Sequence, residues 1–266
     1  MTICFIGGGT MAEAIISGIL AKKLAAPESV IASDVSAARR DLLAQKYRIT
    51  VVSDNRQAVR SAEIVVLAIK PQQLSAVMNE LSGKLQPGQT LLSIVAGARI
   101  ATLTRELQHP QVVRAMPNTP AQVGEGMTVW TATPEVGAEA RAKVQAILQS
   151  LGREIFMADE KYIDMATAVS GSGPAYVFLF IEAMIDAAVH LGLPRDTARE
   201  MVLQTISGSV RLARETGKHP AELKNMVTSP GGTTAEALLQ LEKGRLRNTV
   251  ARAIISAYEK SRQLGG

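Results

Sequence analysis

This sequence of 266 residues contains one cysteine, three histidines and one tryptophan, and only 3% of it is aromatic. Each scarcity removes a class of function. The lone Cys4 has no partner for a disulfide, and its place inside an apolar run predicts a buried, inert thiol. Together with the lack of a signal-like opening segment, that predicts a cytoplasmic protein. His109, His190 and His219 lie far apart, without metal-ligand spacing, so they read as structural or surface groups and no metal site is expected. So few aromatic residues cannot build stacking platforms for single-stranded nucleic acid. The net charge of +5 comes from 29 basic and 24 acidic residues scattered without a long basic run. An anionic small ligand explains that excess better than DNA does, and no nucleic-acid partner is expected.

What is present starts at Met1. The apolar run Ile3-Cys4-Phe5-Ile6 stops at Gly7-Gly8-Gly9, and Thr10, Met11 and Ala12 open a helical pattern through Ile15, Ile16, Ile19 and Leu20. Strand, glycine turn and helix in that order, with Gly7-x-Gly9-x-x-Ala12, fit the dinucleotide fingerprint. Gly7 permits the turn, Gly9 lets backbone approach a pyrophosphate, and Ala12 is small enough for helix to pack on strand. The pyrophosphate would rest on the free N–H groups and positive dipole end of the new helix. A glycine turn can also simply end a strand, so the motif needs support from elsewhere in the chain.

That support comes from other strand ends. Val30–Ser33 reads as a second strand followed by Asp34, where such folds meet the adenosine ribose. An acid there favours a free 2′-hydroxyl, whereas Ser33 with Arg39 and Arg40 would receive a 2′-phosphate; the balance leans to NADPH, with NADH as the other option. Ile64 to Ile69 is a continuous apolar run, as in a buried parallel strand, and ends in Lys70-Pro71. Leu91 to Val95 repeats the pattern and ends at Gly97. Val112 and Val113 lead to Met116-Pro117-Asn118-Thr119-Pro120. Gly124–Thr131 and Ile155-Phe156 read as further strands around a helix from Glu135 to Leu151, closed by Gly152. Gly7–Gly9, Ser33, Lys70, Gly97 and Asn118 thus fall on the carboxyl edge of one parallel sheet, where ligands bind. With a hydrophobic content of 47%, this is an α/β domain over residues 1–158.

Residues 159–266 show only helical periods separated by Gly and Pro. Ser170-Gly171-Ser172-Gly173-Pro174 reads as a cap with Pro174 at the first helical position, before an apolar helix from Ala175 to Leu191. Glu182, Asp186 and His190 recur on one line of that helix. They argue against a membrane span, and the nearly all-round apolar character of the helix argues for burial in a core or subunit interface. A helix to about Thr216 follows, and another runs from Arg245 to Leu264. Between them, Val227-Thr228-Ser229-Pro230-Gly231-Gly232-Thr233-Thr234 feeds a helix. Thr233-x-x-Glu236 predicts a capping box; alternatively, consecutive glycines at a helix start make an anion cradle. Spacing alone leaves both open.

The sequence resembles the pyrroline-5-carboxylate reductase family over nearly its whole length. The likeness rests on Phe5-Ile6-Gly7-Gly8-Gly9-Thr10-Met11-Ala12, Ala68-Ile69-Lys70-Pro71, Met116-Pro117-Asn118-Thr119-Pro120 and Ser170-Gly171-Ser172-Gly173-Pro174-Ala175-Tyr176. Its most specific part is Pro220-x-x-Leu223-x-x-x-Val227-Thr228-Ser229-Pro230-Gly231-Gly232-x-Thr234. The resemblance implies an N-terminal Rossmann domain and a C-terminal helical dimerisation domain. It implies NAD(P)H-dependent reduction of the cyclic imine 1-pyrroline-5-carboxylate to L-proline by a homodimer or an assembly of dimers. It implies cofactor contacts at Gly7, Gly8, Gly9, Thr10, Met11, Ser33, Asp34, Asn55, Ala68, Lys70, Pro71, Gly97 and Asn118. It also implies that Ser229, Gly231, Gly232, Thr233 and Thr234 hold the substrate, with Thr234 at its ring nitrogen. Where this sequence carries Asp34, relatives can carry serine.

Two rivals remain at this stage. A β-hydroxyacid dehydrogenase shares the plan but needs a lysine about four residues beyond the second-domain glycines, where this chain has Val177. A non-catalytic nucleotide-sensing module would keep Gly7–Ala12 and have no need of the loop at Ser229–Thr234.

Overall fold

The structure, a computed structural model, describes residues 1–264. The chain divides into two compact units, Met1–Pro174 with the chain from Ser256 onward, and Ala175–Ile255.

The first unit is built on strands β1 (Ile3–Ile6), β2 (Val30–Ser33), β3 (Thr50–Val52), β4 (Ile64–Leu67), β5 (Thr90–Ser93), β6 (Val112–Met116), β7 (Gly126–Ala132) and β8 (Gly152–Phe156). They form one sheet in the order β3-β2-β1-β4-β5-β6-β7-β8. Every pairing is parallel except β6 with β7. The helices α1 (Thr10–Ala21), α2 (Ala37–Tyr47), α3 (Asn55–Val59), α4 (Leu74–Leu81), α5 (Ile100–Leu107) and α6 (Ala138–Gln149) connect the strands. Alternation across the pleat explains why the strands read as unbroken apolar runs. Ile3 and Phe5 enter the core shared with Ile15, Ile16 and Ile19 of α1. Cys4 and Ile6 enter the opposite core with Val65, Leu67 and Leu103. This is the expected Rossmann-like domain, with a parallel sheet broken by one antiparallel pair.

Several local expectations need correction. β3 and α3 were not anticipated. The strand expected from Gly124 begins at Gly126, because Gly124 sits at φ +75° in the preceding turn. The helix expected over Glu135–Leu151 spans Ala138–Gln149, and Gly152 opens β8 rather than closing that helix. A side chain at Gly152, with φ +136°, would run into the backbone of Gly126 on the neighbouring strand.

The segment Ser170–Pro174 does not cap a new helix. Helix α7 (Lys161–Ala166) continues through a π-helical turn, Thr167–Gly171, into α8 (Gly173–His190). Pro174 has no N–H to offer the Ser170 carbonyl four residues back. The chain widens instead, with Ser172 donating to Thr167 O at 2.8 Å, and Asn118 Nδ2 reaches Ser170 O at 3.0 Å. Helical character therefore starts at Lys161, while the first compact unit extends to Pro174. Ile163 and Ala166 account for this by packing with Val129 and Met116.

The second unit contains the rest of α8, then α9 (Arg195–Thr216), α10 (Pro220–Met226), α11 (Thr233–Lys243) and the first part of α12 (Leu246–Leu264). Among its described residues only Ala198 and Val202 are buried hydrophobics, while Phe178 is 61% and Leu179 67% exposed. The helical run Lys161–His190 is long and apolar enough to cross a membrane by length and composition. Its exposed polar groups include Glu182, Asp186 and His190, and Asp186 pairs with Arg195 at 3.0 Å.

Candidate active site

The glycine turn has the geometry its sequence predicted. Gly7 sits at φ +94°, and a Cβ there would lie 2.7 Å from Ala68 O, so only glycine fits. A Cβ on Gly9 would meet nothing within 4 Å, so the backbone there is open to a ligand. Helix α1 begins at Thr10 with Gly9 as an N-cap that makes no side-chain cap. The amides of the first helical turn, including Thr10 and Met11, therefore lack intrahelical partners and face outward as an anion site. These observations fit a dinucleotide pyrophosphate.

The end expected to meet the adenosine lies at the tips of β1 and β2. A small cavity of about 70 Å³ is lined by Gly7, Ser33, Asp34, Val35, Asn55 and Gln73, among others. Ser33 Oγ donates to Asn55 Oδ1 at 2.7 Å, and Asn55 Nδ2 donates to Glu80 Oε2 at 2.8 Å. Ser33, Asp34 and Asn55 are thus brought together. The two arginines expected near a 2′-phosphate are held differently from each other. Arg39 turns back to Gly8 O and to the Glu13 carboxylate. Arg40 Nη1 donates to Asp34 O at 2.7 Å and Val35 O at 3.2 Å. Glu13 also receives Lys46 at 2.8 Å and Tyr47 at 3.0 Å. The hydrogen bond from Lys46, with help from Arg39 and Tyr47, lowers the Glu13 pKa to about 2. Glu80 and Glu13 were missed in the sequence: Glu80 stands near no motif, and Glu13, directly after Ala12, gains its role from Arg39, Lys46 and Tyr47, partners 26 to 34 residues away.

Further along the same edge, Ala68 follows β4 and its amide donates to Ile6 O at 2.9 Å. Lys70 is exposed, and Pro71 takes the first position of a short 3₁₀ turn leading to α4. Gly97, at φ +77°, lies against the end of α12: a Cβ there would come 2.8 Å from Leu264 O. Asn118 also helps to hold the fold together. Its carboxamide is engaged within the fold, donating to Ser170 O and accepting the Met127 amide at 2.8 Å.

The second unit carries Ser229–Thr234 between α10 and α11. Gly231 takes φ +64°, and Gly232 donates to Ser229 O at 3.1 Å. A Cβ on Gly232 would collide with the Ser229 hydroxyl. The capping-box expectation is incorrect. Gly232, not Thr233, is the N-cap of α11, and no side chain caps it. The predicted register was off by one residue, because a loop closed at Gly232 by its bond to Ser229 O starts the helix one position earlier. The first amides of α11 are left open, as an anion cradle requires.

A buried charge cluster was also missed. Arg114, in the middle of β6, is 2% exposed. Its Nη1 donates to Glu160 Oε1 and its Nη2 to Asp164 Oδ1, both at 2.7 Å. Its Nε has no hydrogen-bond partner among the described residues. A polar cleft of about 490 Å³ beside it is lined by Arg99, Lys161, Tyr258 and Arg262 as well. The available signal was a charged residue within Val112-Val113-Arg114-Ala115-Met116. The histidines and cysteine match their reading. Cys4 is buried and its pKa is driven up by burial. His109 is buried against Gln89 O at 2.8 Å, and burial lowers its pKa. His219 accepts the Ala221 amide at the start of α10.

Comparison with known proteins gives consistent findings. Residues 160–264 match the family described as pyrroline-5-carboxylate reductase dimerisation. Residues 2–97 match the family described as NADP oxidoreductase, coenzyme F420-dependent. A pyrroline-5-carboxylate reductase of Synechocystis is 43% identical, covering 98% of this chain and 97% of that protein. One of Pseudomonas aeruginosa is 41% identical, over 98% and 96%. The crystal structure of a Plasmodium falciparum pyrroline carboxylate reductase with NADP bound aligns at TM-score 0.92 and 35% identity, covering 100% of this chain and 98% of that one.

Proposed function

Since the chain belongs to the pyrroline-5-carboxylate reductase family, we propose the following division of labour among its residues. The protein reduces the cyclic imine 1-pyrroline-5-carboxylate to L-proline with NAD(P)H, the last step of proline biosynthesis, and it is dimeric. The observation that carries this reading beyond the family likeness is the open backbone at Gly9 ahead of α1, at the edge of a parallel sheet.

Gly7–Gly9 with the amides of Thr10 and Met11 hold the pyrophosphate, the α1 dipole adding to the attraction. Ser33 and Asn55 border the adenosine, and Asp34 holds the turn. Ala68, Lys70, Pro71 and Gly97 border the nicotinamide half, with Asn118 bracing the corner beyond them. When bound, NAD(P)H supplies the hydride received by the imine carbon. Ser229, the open amides after Gly231 and Gly232, and Thr233 engage the substrate carboxylate. Thr234 faces the ring nitrogen. The protein's task is alignment within about 3–3.5 Å and exclusion of water. The described residues offer no histidine or paired carboxylate beside Ser229–Thr234 as a general acid, so the proton arrives with the substrate as an iminium or through Thr234 from solvent.

The exposed apolar surface of α8 is read as a protein-covering face, buried in a homodimer or an assembly of dimers in the cytoplasm. Neither a membrane nor nucleic acid enters this reading. The test follows NAD(P)H absorbance with pyrroline-5-carboxylate, using a simple 3-hydroxy acid with NAD(P)⁺ as control. Turnover of the imine alone supports the reading, and turnover of the hydroxy acid alone replaces it with the dehydrogenase rival. Binding of cofactor without turnover of either leaves the sensing module.

A further inference from the structure

A buried arginine between two carboxylates does not repay its desolvation in stability, since an apolar residue of the same volume usually does as well. Arg114 adds to that cost, because its Nε is buried without a partner among the described residues. The geometry around it shows where the cost leads. Glu160 Oε1, the acceptor of Arg114 Nη1, also accepts the amide of Ile100 at 2.8 Å. Ile100 is the first residue of α5, and the residue before it, Arg99, provides no side-chain cap. Glu160 therefore serves as the cap of α5 from sixty residues away, with its charge at the positive end of the helix. Asp164 Oδ1, the acceptor of Nη2, also receives Ser261 Oγ at 3.3 Å. Ser261 lies in α12, one turn before Leu264, and Leu264 packs on Gly97.

Both arms of the Arg114 cluster thus end at one place. One fixes the helix that leaves the Gly97 loop, and the other fixes the helix end that covers it. We propose that Arg114, Glu160 and Asp164 are positioning residues for the cofactor: they hold the β5–α5 loop at Gly97 in its binding conformation. This rests on the reading that the Gly97 loop borders NAD(P)H, and it assigns the cluster no contact with substrate.

The test compares wild type with Glu160→Gln, which keeps the side-chain shape and removes the charge. The milder Ser261→Ala, which cuts only the α12 arm, covers the case in which Glu160→Gln fails to fold. NADPH dissociation constants come from fluorescence titration without substrate, alongside kcat, both KM values and melting temperature. Energetic coupling through such a network predicts that the NADPH dissociation constant and KM rise by about 3–30-fold in Glu160→Gln and by less in Ser261→Ala. A loss confined to cofactor binding leaves kcat and the imine KM nearly unchanged. A lower melting temperature with unchanged NADPH binding would make the cluster merely structural and overturn the proposal. A fall in kcat with unchanged NADPH binding would overturn it as well. If wild type binds NADPH but does not reduce the imine, the assigned reaction fails, while the titrations still decide the role of the cluster.

Discussion

Asp34 Oδ2 accepts the amide of Gly8 at 2.8 Å, and the second oxygen of the same carboxylate accepts the amide of Ser36 at 2.8 Å. An acid at the end of the second strand usually chelates ribose hydroxyls. Here the carboxylate is spent on the backbone of the glycine turn and of the α2 entry, so its presence does not select NADH.

The first prediction follows from that geometry. Arg39 braces Gly8 O and Glu13, whereas among the described residues Arg40 uses only Nη1, on Asp34 O and Val35 O. Arg40 is therefore the arginine available to a 2′-phosphate. Wild type should show higher kcat/KM with NADPH than with NADH. A hydrogen bond to a charged group is worth about 1.5–3 kcal/mol, so Arg40→Ala should lose roughly 10–100-fold with NADPH and little with NADH. Asp34→Asn and Arg39→Ala should weaken both cofactors alike. A preference for NADH in wild type would refute the assignment.

The Gly7–Ala12 motif was legible because strand, turn and helix are contiguous, and each residue's task is local. The strands β1, β2, β4, β5 and β6 were legible as runs buried on both faces. β3 was not: Thr50–Val52 is three residues long at the sheet edge, without a buried run to betray it. The antiparallel placement of β7 depends on pairing with β6, which no local pattern encodes. The Arg114 cluster joins residues 46 and 50 positions apart in the chain. Periodicity cannot find such a pair, although a charge inside an apolar strand signals that some partner must exist. At Ser170–Pro174 the cap chemistry was present, but the helix runs on through a π-helical turn whose Ser170 carbonyl accepts from Asn118.

A second prediction concerns acid stability. The Glu13 carboxyl, held by Lys46, Arg39 and Tyr47, has its pKa lowered from the ordinary 4.5 to about 2. A carboxyl depressed in the folded state stabilises the fold above its unfolded pKa, and that stability drains away as pH falls toward the folded value. The affected window therefore runs from about 4.5 down to about 2. Allowing for partial solvent screening, the contribution at neutral pH is about 1–3 kcal/mol. Denaturant titrations of wild type and Glu13→Gln should differ by that amount at pH 7 and converge as pH falls through the window. A constant gap down to pH 2.5 would assign the effect to packing rather than charge.

Assembly supplies the third. Phe178 and Leu179 are 61% and 67% exposed in a unit where, among the described residues, only Ala198 and Val202 are buried hydrophobics. A patch that large is not left to water. The protein should be a dimer at micromolar concentration by light scattering, with its helical unit lacking a stable monomeric form. Leu179→Asp should shift it to monomer and lower its helical circular dichroism. A folded, active wild-type monomer would sink this prediction.

The last prediction separates Thr233 from Thr234. Thr233 is the first residue of α11 and caps nothing, since Gly232 holds the N-cap position without a side chain. Thr233 is exposed and Thr234 half-buried, and neither hydroxyl is hydrogen-bonded among the described residues. Losing an uncapping surface hydroxyl changes stability by less than about 0.5 kcal/mol, so Thr233→Ala should melt like wild type. Thr234 is assigned to the substrate's ring nitrogen, whose charge and hydrogen-bonding demand change as hydride arrives. A fixed hydroxyl there favours the transition state over the ground state. At about 1.5–3 kcal/mol for a bond to a charged group, Thr234→Ala should lower kcat/KM roughly 10–100-fold. NADPH affinity should not move, because the pyrophosphate is assigned to Gly7–Ala12 in the other unit. The measurements are kcat/KM, NADPH dissociation constant and melting temperature for both variants. Full turnover in Thr234→Ala, with turnover lost in a folded Thr233→Ala, would exchange the two assignments. It would place the substrate nitrogen at the first residue of α11 rather than the second.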